Sequence, residues 1–147
     1  MHTTHIKSLL IASALLSPAV NSSAADSAAS SLARGEYLVE KVGMCADCHS
    51  TRNERGEFIR ATHLGGAALP FAPTVPMPVW APVAPPIAGL PSMTTEQAIV
   101  FLSTGQRPDG SRPRPPMPEF RFSAEDARAI TEYLKSLGKV NAVPNTQ

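Results

Sequence analysis

Cys45, Ala46, Asp47, Cys48 and His49 bring two thiols and an imidazole into five consecutive positions. Two thiols separated by two residues, with a histidine directly after them, form the C-x-x-C-H pattern of covalent c-type haem attachment. Each residue type has a reason to be there. Thiols at this spacing reach the two vinyl groups on one edge of a porphyrin, and the adjoining imidazole is carried beneath the iron as its proximal ligand. Two other chemistries use similar residues. A dithiol redox pair would sit between a strand and a helix of a βαβ unit, and no such alternation surrounds this motif. A zinc site would need a fourth ligand and usually a second Cys or His pair, whereas His63 is the only other histidine beyond the N-terminal region. Cys45 and Cys48 are therefore read as thioether anchors, His49 as the proximal iron ligand, and haem c with its iron as the one cofactor.

A six-coordinate iron needs a ligand on its other face. Met44 adjoins the attachment residues on the proximal side, and Met93 falls at the start of a helix. Met117 stands in Pro115-Pro116-Met117-Pro118-Glu119-Phe120, an extended strap whose prolines exclude helix and restrain the backbone. Met77 stands in a similar Pro76-Met77-Pro78. These local settings leave Met117 and Met77 both open, with His63 as a third candidate of lower potential.

The rest of the chain narrows what surrounds such a group. Among 147 residues, thirteen basic and twelve acidic side chains give a net charge near +1, too little excess to neutralise a nucleic-acid backbone. Hydrophobic residues at 43% and charged residues at 17% are not the composition of a disordered chain, despite fifteen prolines. Two cysteines this close cannot staple a disulfide framework. The N-terminus carries Lys7, an apolar run from Ser8 to Leu16, and small residues at Ser23, Ala24 and Ala25. That is the layout of a cleaved signal peptide over residues 1–25, with a mature domain over 26–147 exported to a bacterial periplasm. The apolar run falls short of the ~20 residues of a spanning helix.

Three helices are expected in the mature part. The first runs from about Leu32 to Val42, with Leu38, Val39 and Val42 at helical spacing. The second starts at Thr94, where Thr-Thr-Glu-Gln97 resembles a capping box, and stops at Gly105. The third is capped by Ser123, carries Ala127, Ile130, Leu134 and Leu137 on one stripe, and ends at Gly138. No alternating run of any length predicts a strand. Between the helices lie eight prolines from Pro70 to Pro91 and five from Pro108 to Pro118. Three short helices with three to five apolar side chains each make a poor core, and loops of such length are unusual in a compact domain. A flat apolar ring would supply the missing core.

The mature chain resembles a class I c-type cytochrome, in particular the bacterial monohaem carriers and the cytochrome subunits of periplasmic dehydrogenases. The resemblance is carried by Arg34-Gly35-Glu36-Tyr37-Leu38 leading into Cys45 to His49, by Thr104-Gly105 to Asp109-Gly110, by Pro115 to Phe120, and by Ala129 to Leu137. It implies an all-α, cytochrome c-like fold of three main helices and long proline-rich loops packed around one covalent haem, ordered over about 32–138. It implies Met117 as the distal ligand and a crossing of the first and last helices, with Gly35 letting the backbones approach near Tyr133 and Leu134. The match is poor between Phe71 and Gly89, where Trp80 is a candidate either to hydrogen-bond a haem propionate or to pack on the ring edge. A carbonyl after the attachment motif is expected to accept the His49 Nδ1–H.

The function implied is single-electron transfer rather than catalysis. A periplasmic dehydrogenase would be the donor, and a respiratory oxidase or another cytochrome the acceptor. Arginines 52, 55, 60, 107, 112, 114 and 121 are candidates to ring the haem edge, to pair with propionates or to meet an acidic partner. The alternatives are a five-coordinate haem protein with peroxidase-like or gas-binding activity, if Met117 does not bind, and a tightly bound subunit of a dehydrogenase complex. The stretch from Pro70 to Pro91 could equally present a polyproline surface to a partner subunit.

Overall fold

The computed structural model describes residues 22–138. The apolar run of the expected signal peptide and the C-terminal tail lie outside the described residues. The described chain is mostly helical, with α1 (Ser22–Tyr37), α2 (Ala46–His49), α3 (Thr95–Thr104) and α4 (Ala124–Ser136). It also holds a short antiparallel pair, β1 (Ala67–Ala68) and β2 (Val83–Ala84), in which Ala67 pairs with Ala84 and Ala68 with Val83. Strands of two residues leave no alternation to read, which is why the sequence predicts none. No described helix is long and apolar enough to cross a membrane.

Helix α1 begins well before the expected Leu32, because the stretch preceding it is rich in alanine, the best helix former. After Tyr37 it widens into one π turn, Leu38–Val42, closed by the Gly43 N–H donating to the Leu38 carbonyl at 2.7 Å. Leu38 and Val39 are both buried within this turn. Met44 then takes a left-handed φ of 47° and the Cys45 N–H donates to the Val39 carbonyl at 3.0 Å. The π turn thus hands the chain directly to the attachment motif, a setting in which such turns recur.

The ends of α3 and α4 follow their sequence signals. Thr94 accepts from the Gln97 N–H while the Gln97 side chain reaches back to the Thr94 N–H, and Gly105 stops the helix at a φ of 70°. Ser123 accepts from the Asp126 N–H at 3.1 Å, and Ala127, Ile130 and Leu134 are buried on one stripe of α4. Helices α1 and α4 cross at Gly35, where an added Cβ would run into the Ala129 carbonyl and lie 2.8 Å from the Tyr133 Cβ. Side-chain bonds stitch the crossing: Arg34 Nε to Asp126 at 2.9 Å, and Tyr133 Oη to Glu40 Oε1 at 3.0 Å. The core below it joins Leu38, Val39, Ala46, Leu64, Ala88, Ile130 and Leu134.

From Leu64 to Thr95 the chain carries no charged residue. Backbone bonds position this stretch: Ile87 and Ala88 donate to the Leu64 carbonyl at 2.9 and 3.0 Å, and Gly89 donates to the Leu134 carbonyl at 2.8 Å. Ala81 donates to the Pro115 carbonyl at 2.8 Å, tying the first proline cluster to the second.

Candidate functional site

One helical turn organises the thiols. His49 N–H donates to the Cys45 carbonyl at 2.9 Å, so Cys45, Cys48 and His49 occupy positions i, i+3 and i+4 on one face of the turn. All three line a cavity of about 600 Å³, a volume within the range of about 300–1,000 Å³ usual for ligand and cofactor sites. The two thiols are not joined to each other. Burial, and after it the charge of Glu40, pushes the Cys45 thiol up to about 11. Burial and then Asp47 raise Cys48 as well, so both sulfurs are held as thiols rather than thiolates near neutral pH.

His49 is buried, and its Nδ1 lies 2.7 Å from the Pro85 carbonyl oxygen. A carbonyl only accepts, so Nδ1 carries the hydrogen and Nε2 keeps its lone pair. Burial lowers the imidazole's proton affinity, with the bond to Pro85 acting against it, and the ring stays neutral as a metal ligand must. Pro85 is the acceptor that the sequence implied without locating. It is set in place through Gly66, whose N–H donates to the His49 carbonyl at 2.8 Å. Gly66 has a φ of 89°, and a Cβ there would lie 2.9 Å from the Pro86 nitrogen and 3.0 Å from the Ala84 oxygen. Only a glycine lets β1 and β2 close over the histidine this tightly.

Met117 lines the same cavity, held by its N–H donating to the Arg114 carbonyl at 3.1 Å. Met77 does not line it and is exposed on the outer side of the proline loop. His63 is also absent from the lining. Its Nε2 lies 2.8 Å from Glu40 Oε1, the oxygen that also accepts from Tyr133, and its Nδ1 lies 3.5 Å from Ser50 Oγ. Both ring nitrogens are therefore engaged beside the α1–α4 crossing. Burial, then the Glu40 charge, raises the Tyr133 hydroxyl.

Trp80 is not among the lining residues. It packs edge-on against Phe71, with ring centroids 5.8 Å apart, and its indole N–H is buried without an acceptor among the described residues. The backbone N–H of Trp80 closes a turn on the Met77 carbonyl at 3.0 Å.

The seven arginines separate by position, with Arg60 exposed and off the cavity lining. Arg107, Arg112 and Arg114 line the cavity. Arg52 pairs with Asp47 at 2.8 Å and lies over the Phe58 ring, Arg55 pairs with Glu57, and Arg121 pairs with Glu119. Apolar residues that the sequence did not mark as site residues, among them Phe101, Leu102, Phe120 and Phe122, complete the walls. Phe120 and Phe122 stack with centroids 4.9 Å apart. Their only sequence signal is that they flank the strap and the last helix.

The donor set suits a haem and not a bare ion. Among the described residues, no cluster of three or more His, Cys, Asp or Glu side chains is placed to hold a metal. One neutral imidazole, two thiols on one turn and one thioether instead share a large, mostly apolar cavity.

By sequence the chain is similar to a cytochrome c subunit. It is 31% identical, over 136 residues, to the cytochrome c subunit of a quinone alcohol dehydrogenase from Gluconobacter oxydans, a match that takes in 85% of this chain. The chain spans 27% of that relative's length. No protein-family model matches the sequence.

Proposed function

We propose that this chain is a monohaem c-type cytochrome that passes single electrons and carries out no bond chemistry of its own. The observation that carries the reading is the shared cavity: Cys45, Cys48, His49 and Met117, from the two ends of the described chain, line one apolar space. When bound, haem c supplies a one-electron ferrous–ferric couple. Cys45 and Cys48 would hold its edge as thioethers, His49 Nε2 would bind the iron on one face, and Met117 Sδ on the other. The bond from His49 Nδ1 to Pro85 fixes the imidazole's tautomer and orientation. A thioether ligand and an apolar enclosure both favour ferrous iron, so the potential is relatively positive. With the haem in place the mostly apolar walls would keep water from the ring, and His49 with Met117 would leave no iron position for substrate.

The relative is named as one subunit of a dehydrogenase, and a periplasmic dehydrogenase is accordingly proposed as electron donor. A respiratory oxidase or another cytochrome would be the acceptor. The periplasm is the proposed location, reached through the expected signal peptide of residues 1–25.

The protein is to be produced in a host with haem-attachment machinery and run on a denaturing gel stained for haem. A stained band that disappears in the Cys45→Ser/Cys48→Ser protein is expected, and an unstained wild-type band sinks the proposal. Met117→Ala should lose the ferric methionine–iron charge-transfer band, whereas Met77→Ala should keep it. The reverse result would make Met77 the ligand. Carbon monoxide should leave the reduced wild-type spectrum unchanged; a ready shift would select the five-coordinate reading instead.

A further inference from the structure

The charged residues that line the cavity are Arg107, Asp109, Arg112 and Arg114, all within the segment that follows α3. The remaining lining holds no Asp, Glu, Lys or Arg, so the cavity is apolar over most of its wall and cationic along one stretch. The four side chains differ in what they already hold. Asp109 accepts from the Ser111 N–H at 3.0 Å and from its hydroxyl at 2.6 Å, and these bonds hold its carboxyl below the usual range. Arg112 donates to the Thr104 carbonyl at 2.7 Å and to Glu119 at 3.1 Å. Arg107 and Arg114 make no side-chain hydrogen bond or ion pair among the described residues, and Arg107 rests with its guanidinium 5.7 Å from the Phe101 ring centroid.

Both free cations sit on fixed backbone. The Arg107 N–H donates to the Ser111 carbonyl at 2.8 Å and its own carbonyl accepts from Gly110 at 2.9 Å. The Arg114 carbonyl accepts from Met117, and Pro115 beside it accepts from Ala81. The turn that presents the thioether therefore presents a guanidinium as well. The Arg107 charge adds a small share to the lowering of Asp109 but makes no ion pair with it. A guanidinium on the rim of a mostly apolar cavity, paired with no carboxylate among the described residues, is suited to one brought by the occupant, because the planar fork matches two carboxylate oxygens. A haem carries two such groups, its propionates.

We infer that Arg107 and Arg114 bind the two propionates of the ring, and so fix which way its acidic edge faces. This rests on the haem reading above. Arg112 is excluded from the role by its own partners, and Trp80 by the burial of its N–H outside the cavity lining.

The test uses purified holoprotein carrying Arg107→Gln, Arg114→Gln, both together, or Arg114→Lys, with Arg121→Gln as the control. The propionate-bending bands in resonance Raman and the midpoint potential across pH are measured. Each glutamine variant should shift the bands and lower the potential, the double variant most. The pH above which the potential falls should rise, because a carboxyl that has lost its guanidinium ionises at higher pH. Arg114→Lys should recover the potential and only part of the band shift, since an ammonium keeps the charge without the fork. Arg121→Gln should match wild type. Bands and potential profile in the double variant that coincide with wild type would overturn the inference while leaving the haem reading intact. A wild-type protein with no covalent haem would overturn the haem reading instead. If the double variant does not assemble, the two single variants and the lysine variant decide by the same criteria.

Discussion

Where α1 crosses α4, Gly35 lies against the Ala129 carbonyl, and Arg34, Ser31 and Glu40 bond to Asp126, Glu132 and Tyr133 around it. From Leu64 to Thr95, by contrast, no residue is charged, and the chain is placed by backbone bonds and by proline. The crossing is a contact between two surfaces that the chain supplies itself. The proline stretch is a wall with the helices on part of one side and the cavity on the rest: Leu69, Ala81, Val83, Ala84 and Ile87 all line the open space. One region is complete as polypeptide. The other borders a mostly apolar cavity, which the proposed haem would fill.

The largest effect should come from Gly35→Val. Its side chain has no room against the Ala129 backbone, and overpacking of this kind costs about 1–3 kcal/mol or more even where neighbours can move. Since backbone cannot give way as a side chain can, loss of the folded state is expected, read as loss of cooperative thermal unfolding by circular dichroism. A cooperative transition at the wild-type temperature would show that the crossing is not the brace described here.

Next in size, Cys45→Ser/Cys48→Ser should act on the other region. Amide hydrogen exchange at Gly66, Ile87 and Ala88 should accelerate by a larger factor than exchange in the middle of α4, because α4 is also braced against α1, whereas these amides are held by the backbone bonds of the stretch beside the cavity. Equal acceleration in both would remove the distinction between the regions. A smaller, local change is Ser123→Ala, which leaves the Asp126 N–H without its cap and should cost about 1 kcal/mol in urea denaturation, as helix caps do.

The smallest effect concerns Arg34, whose bond holds the Asp126 carboxyl below its ordinary range. A carboxyl depressed in the folded state adds stability above its unfolded value, and that stability is lost as the pH falls through the folded value. Arg34→Gln should therefore be slightly less stable than wild type at neutral pH, and the gap should close under acid. Both groups are solvent-facing, so the gap is expected to be a fraction of the total stability. A gap that persists at low pH would mean that Arg34 acts through packing.

Much of this was readable because it is local. The capping box at Thr94, the cap at Ser123 and the stop at Gly105 depend on residues close in the chain, and short-range spacing is what a sequence displays; the helical turn Ala46–His49 carried no such signal. The start of α1 was misplaced for a local reason too: the alanines before Leu32 resemble a processing leader and a helix equally well. Gly35 was legible only through the family resemblance, since a glycine inside a helix has no partner visible in the sequence.

The site divides along the same line. The type and spacing of Cys45, Cys48 and His49 carry the proposed chemistry, because haem attachment and ligation would need those atoms close together in the chain whatever surrounds them. The choice among carbonyls that fell on Pro85, the sequestering of His63 by Glu40 and Ser50, the outward position of Met77 and the burial of the Trp80 N–H depend on which distant segments meet. Apart from the His63–Glu40 contact, those meetings follow from long-range packing of uncharged, proline-stiffened chain, which carries neither periodicity nor charge for a linear reading to use.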